Sequence, residues 1–226
     1  MADHALTISF GNVINLRLNN LVIAIWNDLK QQPLPGRVDL VPAYSSLTVV
    51  YDPIEITRQF APASVSDWMK EQLATRINHV QVPFNKQVQT IQIPVCYDQS
   101  LAPDLEYIAK HHGLTTTEVI QIHASTTYRV YMIGFLPGFP YMAAVSSQIA
   151  TPRKTQPQQL VTAGSVGIAG EQTGIYPFDS PGGWQIIGNT PIRMFDPAKE
   201  QPGLLAPGDE VQFYPVSLRE FKQLQA

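Results

Sequence analysis

The chain opens on an alternation of apolar and polar positions. Leu6, Ile8 and Phe10 recur at every second residue and predict a strand, which Gly11-Asn12 breaks. Ile14, Leu18, Leu21, Val22, Ile25 and Leu29 then fall at helical spacing, an apolar stripe that Pro33-Leu34-Pro35-Gly36 terminates. Val38 and Leu40, followed by Leu47, Val49 and Tyr51, predict two strands joined through 42–46. Ser64 and Asp67 have capping-box spacing. They open a second helix whose buried side holds Val65, Trp68, Met69, Leu73 and Ile77. Ile91, Ile93, Val95 and Tyr97 alternate again and predict a strand over 88–97. The order β-α-β-β-α-β predicts an α+β N-terminal domain, a split βαβ-like sandwich with helices on one face of a sheet. Nothing in this half demands chemistry, and a packing or docking domain accounts for it.

Further along the punctuation changes. Pro103-Asp104 starts a short helix to His112, closed by Gly113, and Thr115 to Thr117 with Glu118 starts another through Ala124. Tyr128, Val130 and Met132 alternate as a strand. Glycine and proline then recur every few residues, with candidate strands at 165–169, 184–188, 192–195 and 211–215. Pro207-Gly208-Asp209 is a turn, and Ser217 with Glu220 caps a terminal helix carrying Leu218, Phe221 and Leu224. Short strands between such turns predict a mainly-β barrel. The domains expected are 1–88 and 89–226.

Composition narrows the class. A chain of 226 residues allows one or two domains and buries a core without disulfides or a structural metal. Charged residues are 15%, against a usual share of about 25%, so the surface is amide- and hydroxyl-rich or covered by a partner. Net charge is −3 and the basic residues are scattered singly, which argues against nucleic-acid binding. A single cysteine, Cys96, excludes an internal disulfide. Met1-Ala2-Asp3-His4 has no signal-peptide character, and apolar runs stay far short of the ~20 residues of a membrane span. The expectation is a cytoplasmic protein without membrane contact.

Three motifs carry a resemblance. They are Tyr131-Met132-Ile133-Gly134-Phe135-Leu136-Pro137-Gly138-Phe139-Pro140-Tyr141, Ala163-Gly164-Ser165-Val166-Gly167-Ile168-Ala169-Gly170 followed by Gln172-Thr173-Gly174-Ile175-Tyr176-Pro177, and Ser180-Pro181-Gly182-Gly183-Trp184. In this order they resemble the 5-oxoprolinase B-subunit family, also called allophanate hydrolase subunit 1, which includes the kinase inhibitor KipI. Leu34-Pro35-Gly36, Val41-Pro42-Ala43-Tyr44 and Ile93-Pro94-Val95-Cys96-Tyr97 extend the resemblance over nearly the whole chain. It implies a small α/β domain followed by a cyclophilin-like β-barrel domain. It also implies an accessory component of an ATP-dependent 5-oxoprolinase, which turns 5-oxoproline, ATP and water into glutamate. The implied partners are the homologous C-subunit and the separate A-subunit of that enzyme, with ATP bound by the complex rather than by this chain. Other branches imply alternatives, a KipI-type inhibitor of a sensor histidine kinase or a carboxyltransferase half-domain acting on a urea-like amide beside a biotin-bearing partner.

The residues themselves offer one wall of a pocket for a small amide. The sequence has no Gly-rich phosphate loop ending in Lys-Ser or Lys-Thr and no His-Glu-x-x-His motif, so neither ATP chemistry nor a metal is expected of this chain alone. Phe135, Pro137, Gly138, Phe139 and Tyr141 form a stiff aromatic turn, which also fits a loop packed under the barrel. Gly164, Ser165 and Gly167 offer backbone N–H groups to an oxyanion, or are plain barrel turns. Gln172, Thr173 and Tyr176 suit an amide or urea-like group. Gly182 and Gly183 display Trp184, as a pocket wall or as core. His123 is a candidate acid–base group or a hydrogen-bonded structural residue. Arg153 is a candidate partner for a substrate carboxylate, or a solvated cation. His111-His112 reads as exposed helix surface and Cys96 as inert. Departures from the family pattern are Ala143-Ala144 in place of Gly-Gly, and Gln158, Leu160 and Asn189 where arginines are common. Asn189 stays among the candidate binding residues.

Overall fold

The computed structural model describes residues 4–82 and 90–225 and divides into two compact units, Met1–Gln87 and Val88–Ala226. In the first unit β1 (Ala5–Ser9) leads to α1 (Leu16–Gln31), then β2 (Arg37–Pro42), β3 (Ser46–Tyr51), α2 (Pro53–Phe60) and α3 (Val65–Ile77). The strands form an antiparallel sheet in the order β1-β3-β2. Leu47, Val49 and Tyr51 on β3 face a core completed by Val22, Ile25 and Leu29 of α1 and by Met69 and Leu73 of α3. The side chain of Asn15 caps α1, accepting from the Leu18 N–H at 3.1 Å, so Ile14 lies before the helix and is exposed rather than part of its stripe. Ser64 caps α3 as its spacing predicts. Helix α2 lacks a long apolar repeat. Asp52 starts it by accepting the Ile54 and Glu55 N–H groups, with Pro53 preset for a first helical turn.

One buried polar group ties this unit together. Asn19 on α1 is fully buried, and its amide donates to the Ala43 and Tyr44 carbonyls at 3.3 and 3.2 Å. The Asn19→Ala variant is expected to unfold with about 2 kcal/mol less free energy, read as a lower urea midpoint at unchanged m-value, because a fully buried side chain is truncated and two part-buried carbonyls lose their donor.

The second unit holds β4 (Thr90–Cys96), α4 (Leu105–His112), α5 (Thr116–Ser125), β5 (Thr127–Ile133), β6 (Pro140–Ala143), β7 (Gln158–Val161), β8 (Ser165–Ala169), β9 (Gln172–Ile175), β10 (Ser180–Gly182), β11 (Gln185–Asn189), β12 (Glu210–Val216) and α6 (Leu218–Gln225). Seven strands close a barrel in the order β11-β4-β12-β5-β6-β9-β8, and β7 and β10 form a separate ribbon. The β4–β12 pair is parallel, while its neighbours run antiparallel. Val95, Tyr128, Val130, Val166, Ile175 and Phe213 fill the barrel core, and Ile108 of α4 and Val119 of α5 pack onto it. Thr115 and Glu118 complete the capping box of α5.

The strand expected over 88–97 thus belongs to the barrel. Its first two residues lie outside the described residues. Without it the first unit runs β-α-β-β-α-α, so the split βαβ-like order is corrected to a three-stranded antiparallel sheet. Alternation predicts a strand but not its partner, and β4 pairs with β11 and β12 from the far end of the sequence. The strand expected at 192–195 is also corrected. Pro191 removes a donor at its start, and Phe195 makes only an isolated bridge to Gly203. No helix among the described residues is long and apolar enough to cross a membrane.

Candidate functional site

The aromatic turn between β5 and β6 is held by its own backbone. The Leu136 N–H donates to Gly134 O at 2.8 Å, the Phe139 N–H to Leu136 O at 3.0 Å and the Gly134 N–H to Phe139 O at 3.2 Å. Phe135 sits at φ 64° with its ring 61% exposed, a backbone region that L-residues rarely hold unless the surroundings enforce it. Pro137 is exposed beside it, and Gly138 is buried against Phe195. Phe139 is buried at the centre of a ring cluster. Its centroid lies 4.9 Å from Tyr141, 5.1 Å from Tyr176, 5.4 Å from Trp184 and 5.7 Å from Phe135, the last three edge to face. With Val161, Ala169 and Ile186 these rings form a cluster separate from the barrel core.

Arg153 caps this cluster. Its guanidinium carbon lies 5.7 Å from the Trp184 ring centroid, a cation–π contact, while the residue stays exposed. Among the described residues no carboxylate lies within ion-pair distance of it. Burial raises the Tyr141 hydroxyl above its ordinary range, and the Arg153 charge opposes that rise. Burial also raises Tyr176, opposed by the Trp184 backbone N–H and again by Arg153. Gly182 packs against the Tyr176 hydroxyl, and the Gly183 carbonyl accepts the Lys154 N–H at 2.7 Å. Of the sequence candidates, Phe135, Phe139, Tyr141, Arg153, Tyr176, Gly182, Gly183 and Trp184 are therefore brought together. Phe139, Tyr176 and Trp184 are buried, so Trp184 is core beneath the exposed Arg153, and what the wall presents outward is a delocalised cation, the Phe135 ring and the half-buried Tyr141. With the pKa of its tyrosine hydroxyls raised by burial and no imidazole among these residues, it carries no group suited to proton transfer near neutral pH.

Other candidates lie in the barrel wall and core. His123 is fully buried and stacks on Phe213 with centroids 4.7 Å apart. Its Nδ1 lies 2.8 Å from the Tyr97 hydroxyl and its Nε2 3.1 Å from Thr173 Oγ1, which itself donates to Gly167 O. One proton arrangement satisfies all three contacts. Tyr97 donates to Nδ1, Nε2–H donates to Thr173, and Thr173 donates to the carbonyl. Burial pushes the His123 pKa down to about 3, so the ring is neutral at physiological pH. The acid–base expectation for His123 is corrected to a core hydrogen-bonding role, and Thr173 is taken by the same chain of bonds.

The oxyanion expectation is corrected as well, because the donors have partners. The Gly164 N–H donates to Tyr176 O at 2.7 Å and the Ser165 N–H to Thr162 O at 3.2 Å. Gly167 lies between two strands, opposite Ile186 and Gly174, with Trp184 close behind it. Asn189 is buried and donates to Ala163 O at 3.0 Å, fastening the turn that carries Gly164. Gln172 is half-buried at the start of β9. Cys96 is buried, which raises its thiol pKa and keeps it inert. His112 departs from the surface reading, its Nε2 meeting Thr151 Oγ1 at 3.0 Å.

Sequence reasoning missed Asp104, Lys154 and Gln185. Lys154 Nζ pairs with Asp104 Oδ1 at 2.7 Å, and the Gln185 amide donates to Pro152 O at 2.9 Å. The available signal was adjacency, Lys154 to Arg153 and Gln185 to Trp184. Elsewhere α5, β4 and β12 line an open groove of about 560 Å³ with Gln92, Gln121, Gln212 and Tyr214 on its sides. It contains no charged group and none of the aromatic wall.

The carboxyltransferase domain model, subdomains C and D, matches residues 1–205. The 5-oxoprolinase B-subunit of Bacillus subtilis (strain 168) is 42% identical over 224 residues, 98% of this chain and 93% of that protein. Its counterpart from Escherichia coli O157:H7 is 41% identical over 182 residues, 80% of this chain and 79% of that protein. The crystal structure of TTHA0988 matches with a TM-score of 0.82 at 35% identity, covering 94% of this chain but only 40% of that one. The Kluyveromyces lactis urea amidolyase, at 20% identity and a TM-score of 0.76, shares the fold over 98% of this chain and 15% of its own. With a family model over most of its length and near-full-length relatives above 40% identity, the chain belongs to the 5-oxoprolinase B-subunit family, built on the fold of carboxyltransferase subdomains C and D.

Proposed function

We propose that this chain is a component of a cytoplasmic, ATP-dependent 5-oxoprolinase, acting with the A- and C-subunits of that enzyme, and that it supplies the substrate-binding wall. The observation that carries this reading is the exposed Arg153 guanidinium laid on Trp184 beside Tyr141 and Tyr176. 5-Oxoproline is a flat lactam bearing one carboxylate. A guanidinium takes such a carboxylate through two parallel hydrogen bonds, and the exposed Phe135 ring offers an apolar face to the lactam.

The described wall does not fit a nucleotide. Its cations are Arg153 and Lys154, and Lys154 is taken by Asp104. A triphosphate takes several charge-assisted donors, so no phosphoryl step is assigned to this chain. ATP supplies activation of the lactam, a poor electrophile through amide resonance, and the partner subunits supply its site. The barrel unit is read as cyclophilin-like.

The test is glutamate formation from 5-oxoproline and ATP by the purified complex, with and without this chain. Turnover only when the chain is present is the expected result. A complex that assembles yet forms no glutamate overturns the proposal.

A further inference from the structure

The backbone on both sides of Arg153 is fastened to the backbone on both sides of Trp184. Ahead of Arg153, the Pro152 carbonyl accepts from the side chain of Gln185 at 2.9 Å. After it, the Lys154 N–H donates to the Gly183 carbonyl at 2.7 Å. Lys154 Nζ then reaches Asp104 Oδ1 at 2.7 Å. The other carboxylate oxygen of Asp104 accepts the Ile186 N–H at 2.7 Å, and the Asp104 N–H donates to the Ile186 carbonyl at 2.9 Å. Arg153 and Trp184 are thus the middle residues of two facing segments, joined before and after the contact.

The chemistry of the brace is informative. Gln185 is buried, and both members of the Lys154–Asp104 pair are mostly shielded from solvent. Shielded ion pairs contribute little net stability compared with apolar side chains of similar volume. What this one supplies is position. An unbraced arginine on an irregular segment samples many rotamers, and a ligand must freeze them on binding. With the backbone fixed on both sides, the arginine side chain starts from one place beside Trp184, and the freedom left for a ligand to freeze is that of its own rotamers.

We propose that Lys154, Asp104 and Gln185 are positioning residues that hold the Arg153 guanidinium over Trp184, preset to receive the carboxylate of a small amide-bearing acid. The proposal rests on the reading of Arg153 as the carboxylate-binding group of a 5-oxoprolinase. It deepens that reading by naming what sets the cation in place.

The test is steady-state kinetics of the reconstituted complex with 5-oxoproline, comparing Arg153→Ala, Lys154→Met, Lys154→Arg and Gln185→Leu. Loss of a charge-assisted pair to the carboxylate is expected to raise KM by about 30-fold in Arg153→Ala. Lys154→Met and Gln185→Leu are expected to raise KM about 5–10-fold with kcat within twofold, because uniform binding is lost and the reacting groups are untouched. Lys154→Arg is expected to restore most of the loss. An unchanged KM in Arg153→Ala overturns the binding-wall reading and this proposal with it. A raised KM in Arg153→Ala with unchanged KM in Gln185→Leu and Lys154→Met overturns this proposal alone. A fall in kcat at constant KM overturns it too. If Lys154→Met fails to fold, Gln185→Leu and Lys154→Arg decide.

Discussion

The His123→Ala variant is expected to lose about 4 kcal/mol of unfolding free energy. The substitution removes a ring stacked on Phe213 in the barrel interior, leaves the Tyr97 hydroxyl without its acceptor and takes from Thr173 Oγ1 the donor it accepts from. The same residue sets a pH dependence. Its folded pKa of about 3 lies below the ordinary value of 6.5, so below pH 6.5 the unfolded chain binds a proton that the folded chain excludes. Stability is therefore fully present above pH 6.5 and falls as the pH drops toward 3. Between pH 7.5 and 5.0 the wild-type loss is about 2 kcal/mol, from roughly 1.4 kcal/mol per pH unit below 6.5. His112, also lowered by burial, adds in the same direction. Urea midpoints at the two pH values check both points. His123→Ala should be weaker at pH 7.5 and show a clearly shallower slope, and a wild-type midpoint equal at both pH values contradicts the neutral-core assignment.

The Gly164→Ala variant is expected to be comparably damaging, at about 4 kcal/mol. Gly164 holds φ +81°, and an added Cβ runs into the Thr190 carbonyl and the Asn189 side-chain oxygen. Neither neighbour is free to yield. The Thr190 N–H donates to Gly164 O at 2.9 Å, Asn189 is bonded to Ala163 O, and the Gly164 N–H is bonded to Tyr176 O. Left-handed strain of roughly 1–3 kcal/mol adds to overpacking of similar size. Gly170→Ala is the control, because Gly170 holds φ +60° but a Cβ there meets nothing within 4 Å. It should lose only the strain, about 1 kcal/mol. Equal melting temperatures for the two variants would show that the Asn189–Thr190 contact is not rigid.

The contrast between these residues shows what a sequence can tell. The capping pairs Ser64–Asp67 and Thr115–Glu118 are local, and both form where their spacing places them. The aromatic turn is local too, and its backbone bonds close within Gly134 to Phe139. His123 is different. A helical position facing the core was legible, but its partners come from residues 26 before and 50 after it, and no spacing rule joins them. Asp104 was legible as a helix start, yet its carboxylate makes no cap bond to α4 and crosses 82 residues to Ile186. Gly164 and Ser165 were legible as a glycine-rich turn, but whether a turn's N–H groups point outward or into the backbone depends on the strand it adjoins. Gln158, Leu160 and Asn189 fall where arginines are common in relatives. Asn189 is committed to the Ala163 carbonyl, while Leu160 is 62% exposed on β7.

The parallel β4–β12 pair also bears on how the protein is made. Gln92 and Gln212 hydrogen-bond across 120 residues of sequence. At about 5–20 residues per second of translation, β4 emerges from the ribosome roughly 6–24 s before β12. For most of that interval the stretch Ile91–Val95 has neither of its final neighbours, since β11 precedes β12 by only a short length of chain. An unpaired apolar strand invites pairing with other nascent chains. Pro94 stands in its middle and offers no N–H to such a pairing. Barrel closure is accordingly a late event of biosynthesis, and chaperone demand should fall on the half-made barrel.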